Sequence, residues 1–169
     1  YSINCINKSN NNCFFYLFQR MKNQSKNEIY SLIWMLSPYK IGKESYIKFT
    51  WSTDYSFFWF STGGIKVGFT PLSGGQLSAA FSTKNWTNFD IKNDTPGFST
   101  PTVGVPPNVF VISCKNKVPN SVFSTGVGMS NFATFIKQSY VETTQNFSDE
   151  TTFWIAATSN KIELTEILS

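Results

Sequence analysis

The stretch WSTDYSFFWFSTGG, residues 51–64, concentrates the groups best suited to specific contacts: Asp54, Tyr55 and Trp59, in a run that also holds Trp51, Phe57, Phe58 and Phe60. Indole and phenol rings stack on sugar faces and a nearby carboxylate accepts hydrogen bonds from hydroxyls. Exposed, Asp54, Tyr55 and Trp59 would therefore form a carbohydrate-binding set of lectin type. Covered, the same rings belong to a core or to a seam between two copies of the chain, with Trp59 and Phe60 the candidates for self-association. The alternation favours cover. Tyr55, Phe57 and Trp59 fall on one face and Phe58 and Phe60 on the other, so both faces are apolar, as in a strand packed on each side. The expectation is a strand chiefly buried, its outer face completing a contact to a second chain.

Other chemistry is sparse. There is no histidine, which removes the usual general base near neutral pH and every Ser-His or Cys-His nucleophile pair. The 10 acidic residues lie mostly among Ser, Thr, Asn and Lys in turn-like segments, the setting of solvated carboxylates rather than of a glycosidase pair. NDT at 93–95 and SDE at 148–150 lack the regular spacing of a calcium loop. Cys5, Cys13 and Cys114 match no zinc spacing. The sequence therefore predicts no catalytic residue, no metal and no cofactor, and a protein that is not an enzyme. Cys5 and Cys13 flank a polar loop and, across a hairpin ladder, would face each other and pair in an oxidising compartment. Cys114 ends an apolar strand, either as a small buried hydrophobe or as a link between subunits.

The 14 Lys and Arg residues give a net charge of +4 but are scattered, and Arg20 is the single arginine; nucleic acid is not an expected partner. Charged residues make up only 14% of the chain, and charges are the common protection of sheet edges against pairing with another molecule. No apolar run approaches the roughly 18 residues of a membrane-spanning helix, and no signal-peptide pattern is visible. The compartment stays unassigned, with an extracellular or cell-surface setting favoured.

The elements that must position these residues are strands. Period-two patterning predicts them in YSINCIN and CFFYLFQ, joined as a hairpin through KSNNN, and at 45–51, 55–61, 65–69, 108–113, 131–138, 151–157 and 161–168. Residues 26–37, KNEIYSLIWMLS, carry some helical spacing, with a strand through YSLIWML as the competitor. Residues 95–108 hold four of the seven prolines and are expected to form a long loop. The fold class is all-β, an antiparallel β-sandwich or flattened barrel of about nine or ten short strands with at most one short helix, in one domain spanning 1–169.

Three segments also resemble a known family. SLIWMLSPY, FTWSTDYSFFWFSTG and STGVGMSNFATFIKQ are similar to the RhiA-like proteins, small rhizosphere-expressed proteins of bacteria with relatives in fungi. The matching positions include Trp34; Trp51, Asp54, Tyr55, Trp59 and Gly63; and Gly126, Gly128, Met129 and Phe135. Asn131 stands where the family pattern has glycine, and residues 70–120 match poorly. The resemblance implies a shared fold and no catalytic residues. Together, these readings predict a non-catalytic protein that acts by association: a self-assembling subunit of a fibre, coat or inclusion forming homo-oligomers, or alternatively a soluble carbohydrate-binding module.

Overall fold

The computed structural model describes residues 1–24, 28–72 and 74–168. They form fourteen strands in four sheets, none closed into a barrel. The largest sheet has the order β3 (Tyr30–Ser31), β12 (Phe132–Gln138), β11 (Phe123–Met129), β6 (Tyr55–Ser61) and β7 (Gly74–Ala79). A second has the order β13 (Thr144–Ser148), β10 (Val109–Cys114), β8 (Trp86–Lys92) and β9 (Thr95–Phe98). All pairings are antiparallel except β8 with β10. β2 (Phe14–Met21) lies between β14 (Thr151–Thr158) and β4 (Met35–Leu36), and β1 (Ser2–Ile6) pairs with β5 (Tyr46–Thr50).

The five-stranded and four-stranded sheets pack across one core. Phe57, Val127 and Phe135 from the first meet Phe89, Phe110, Ile112 and Phe147 from the second. On its opposite face the five-stranded sheet is sealed by a smaller cluster that includes Leu32, Phe58, Ile136 and Ile167. β6 is thus covered on both sides, as its two apolar faces require. A third cluster gathers Cys5, Leu17, Trp34, Phe49 and Met129 where the two-stranded and three-stranded sheets abut the rest.

Several segments depart from expectation for local reasons. The YSINCIN and CFFYLFQ strands do not form a hairpin: the Asn7 side chain, 3% exposed, donates to the carbonyls of Asn11 and Ile41 at 2.8 Å each. That turns the chain out of β1 so that β1 pairs with β5 and β2 with β14. The 26–37 region gives β3 and β4 in place of a helix, with Ile33 and Trp34 buried between them; its residues 26 and 27 lie outside the described ones. IKVGF at 65–69 is a turn, opened by Gly68 at φ 84°. The C-terminal KIELTEIL is irregular, with Thr165 at φ 65° and a single bridge from Ile167 to Leu32. Both segments nonetheless cover the outer face of β6, tied together by Ile167 N donating to the Phe69 carbonyl at 2.9 Å. The expected long loop begins as a strand: Asn93 and Asp94, both at positive φ, make a two-residue hairpin turn that pairs Lys92 with Thr95. A second such turn, Ser130–Asn131, joins β11 to β12; asparagine tolerates the left-handed backbone that the family pattern reserves for glycine.

Candidate functional site

Asp54, Tyr55 and Trp59 do not share a surface. Trp59 turns into the main core against Phe89 and Phe123, at ring distances of 6.1 and 6.0 Å. Tyr55 lies on the same inner face, edge-on to Phe81 at 4.9 Å. Asp54 is exposed and shapes a turn: its Oδ2 accepts from Ser52 Oγ at 2.8 Å and its carbonyl from Ser130 N at 2.9 Å. Phe60, partly buried, packs outward against the cluster of Leu32 and Phe58, with its ring stacked on Phe58 at 6.2 Å. Strand alternation turns Phe60 away from Tyr55 and Trp59, and Asp54 precedes the strand.

The cysteines are free thiols. Cys5 pairs with Ile47 across β1 and β5, and Cys13 bridges Ile41, so the ladder that would juxtapose Cys5 with Cys13 does not form. Cys114 is 1% exposed. Burial pushes the Cys5 and Cys114 thiols up; at Cys114 hydrogen bonds from its neighbours oppose that rise without cancelling it.

Two features stand out where the sheets meet. The first is β14. Among the described residues it pairs with β2 alone and leaves its other edge open. None of its eight residues, TTFWIAAT, is charged or a proline, and Phe153, Trp154 and Ile155 are 49%, 50% and 44% exposed. On its outer side Trp154 stacks on Phe18 at 6.3 Å, and Phe18 on Tyr16 at 6.0 Å, a continuous aromatic ribbon across two strands. Other sheet margins are shorter or interrupted: β3 and β4 have two residues each, and β9 has four with Pro96 among them.

The second is a cleft of about 350 Å³ bounded by the three-stranded sheet, the five-stranded sheet and the segment after β5. Its mouth carries Trp51 and Phe153, stacked at 5.6 Å, and its floor is Phe110, Val127 and Met129. A β-bulge at Val127/Gly128 bends β11 beside it. The polar groups are Gln19, Tyr55, Asp149, Tyr1 and four aliphatic hydroxyls, of which Thr134 is buried. Burial, and then the Asp149 carboxylate and Tyr1, raise the Tyr55 phenol above its ordinary value. No spacing in the sequence brings Gln19, Tyr55 and Asp149 together; sheet packing alone does so.

The segments that carried the family resemblance converge beside this cleft. Trp34 Nε1 donates to the Met129 carbonyl at 2.9 Å, and the Trp34 and Trp51 rings meet edge-on at 5.5 Å. Comparison with known proteins agrees. The family model described as RhiA matches residues 1–169, so the likeness includes the 70–120 region as well. The chain is 36% identical over 160 residues to Protein RhiA of Rhizobium leguminosarum bv. viciae, an alignment covering 95% of this chain and 68% of that protein. No solved structure matches.

Proposed function

The chain belongs to the RhiA family, and from that premise we propose that it is a non-catalytic, self-associating structural subunit whose contact with a second copy is made along β14. The observation that carries this reading is the open, uncharged edge with its row of half-exposed Phe153, Trp154 and Ile155. An unprotected edge presents backbone donors and acceptors ready to extend the ladder into another molecule. Antiparallel addition of a second β14 would continue the three-stranded sheet across a twofold axis and lay the Tyr16, Phe18 and Trp154 ribbons side by side. A polymer needs a further contact, for which the exposed Val67, Phe69 and Leu72 supply an apolar patch on a different part of the surface. A carbohydrate-binding role at Asp54, Tyr55 and Trp59 has less support, because Trp59 and Tyr55 turn inward while Asp54 points to solvent.

Light scattering after size-exclusion chromatography tests the proposal. The wild type is expected to elute as a dimer or larger, and Trp154→Lys, which places a charge on the exposed edge, as a monomer with unchanged circular dichroism. A wild type that stays monomeric at millimolar concentration would rule the reading out.

A further inference from the structure

Gln19 occupies an unusual place in the cleft wall. It is 3% exposed, and its Nε2 is a buried side-chain donor with no hydrogen-bond partner among the described residues. It stands opposite Phe153 across the β2–β14 ladder, so both side chains lie on the same face of the sheet, the face that bounds the cleft. Burying an amide donor without a partner is costly, and structures retain such groups chiefly where something else satisfies them. Around it the floor is apolar and the mouth is a pair of stacked rings, while Asp149 is a carboxylate at the rim.

We propose that this cleft binds a compact, uncharged aromatic molecule bearing a hydrogen-bond acceptor: a turn of the Gln19 amide brings Nε2, here shielded from solvent, to the acceptor, while the ring lies against the edges of the stacked Trp51 and Phe153. The volume, near the lower end of small-molecule sites, limits the ligand to a few fused rings. The acceptor follows from the donor. A charged ligand of either sign would lose its hydration against Phe110, Val127 and Met129. A flat ring suits the site because a stacked pair presents ring edges, which meet the face of a third ring. This goes beyond the assembly reading and does not depend on it, since Trp154 lies on the opposite face of β14.

Indanone and indane differ by one carbonyl oxygen and serve as the probes. Titrations are followed by tryptophan fluorescence and by amide and indole N–H shifts in a nitrogen-15-labelled sample of the full chain. The wild type is expected to bind indanone about tenfold more tightly than indane, the difference one neutral hydrogen bond provides, with shifts centred on the Trp51 indole and the Gly128 amide. Gln19→Leu keeps the bulk, removes the donor and is expected to equalise the two probes without lowering the melting temperature; Gln19→Met serves the same purpose if the leucine variant does not fold. The same contrast is expected in the Trp154→Lys background. Absence of binding at millimolar probe, equal affinities in the wild type, a preference that survives removal of Gln19, or shifts away from the cleft would each overturn the proposal. So would glucose or galactose moving the Trp51 and Gly128 signals when indanone does not.

Discussion

β6 and β14 are near twins in composition and opposites in circumstance. YSFFWFS and TTFWIAAT are both uncharged, aromatic and apolar on each face. β6 lies between β11 and β7, with the four-stranded sheet on one side and the C-terminal segment on the other, and its Phe57 is wholly buried. Among the described residues β14 has one neighbour, and it leaves three consecutive large side chains about half exposed. The difference teaches that apolar alternation specifies a strand and the number of faces it can have covered, while what covers them is decided by distant parts of the chain. In β6 the cover is internal. In β14 the cover is incomplete among the described residues.

The sharpest way to break the comparison is to truncate a ring in each strand. Phe57→Ala removes a side chain that packs on Phe98 and Phe110, at 5.9 and 5.6 Å; urea unfolding is expected to show a loss of about 3–5 kcal/mol. Trp154→Ala, measured on monomer in dilute solution, is expected to cost about 0.5 kcal/mol or less. Comparable losses at the two sites would mean that β14 is as firmly built in as β6.

A second contrast concerns backbone approach within and outside the covered region. A methyl group at Gly126, in β11 beside β6, would run into the Phe135 carbonyl and the Ile136 backbone, whereas one at Gly97 in β9 meets nothing within 4 Å. Gly126→Ala is expected to lose about 1–3 kcal/mol, as overpacked interiors do. Gly97→Ala is expected to stay within about 0.5 kcal/mol of the wild type. Equal effects would show that the central sheet yields more readily than its packing implies.

The smallest expected effect is on pH dependence and separates buried thiols from surface groups. Cys5 and Cys114 are raised above their ordinary value of 9.0 by burial, so near and above that pH the unfolded chain has released protons that the folded chain still holds. Unfolding then liberates protons and is favoured by rising pH. Stability from these groups is therefore complete below about pH 9 and declines as pH climbs through their folded values. Guanidinium titrations in reductant should show the decline, and the Cys5→Ala, Cys114→Ala double variant should show less of it. A wild-type curve that is flat from pH 8 to 10.5 would contradict the burial of both thiols.

Much of this was legible locally. The strands containing Phe49, Phe57, Phe110, Phe135 and Trp154 follow from period-two patterning, and two-sided cover of β6 follows from Phe57 and Phe58. The hairpin turn at Asn93–Asp94 was also written in the sequence, as a pair of residues that tolerate positive φ, though the prolines just beyond it pointed to a loop. Other features had no local signal. Asn7 reads as one more polar loop residue until its amide is seen holding the Asn11 and Ile41 carbonyls. Gln19 reads as the solvated member of an alternating strand until the sheets close over it.

The sequence by itself determined the class of structure, because side-chain alternation, β-branched and aromatic residues, and the absence of sustained helical spacing are properties of neighbours along the chain. It also excluded imidazole chemistry from these residues, since a chain without histidine cannot gain an imidazole by folding. Only the tertiary structure decided which sheet edge stays open and which buried amide is left without a partner. Both depend on contacts between residues far apart in sequence, such as Gln19 with Phe153 and Phe57 with Phe110, whose pairing no local pattern encodes.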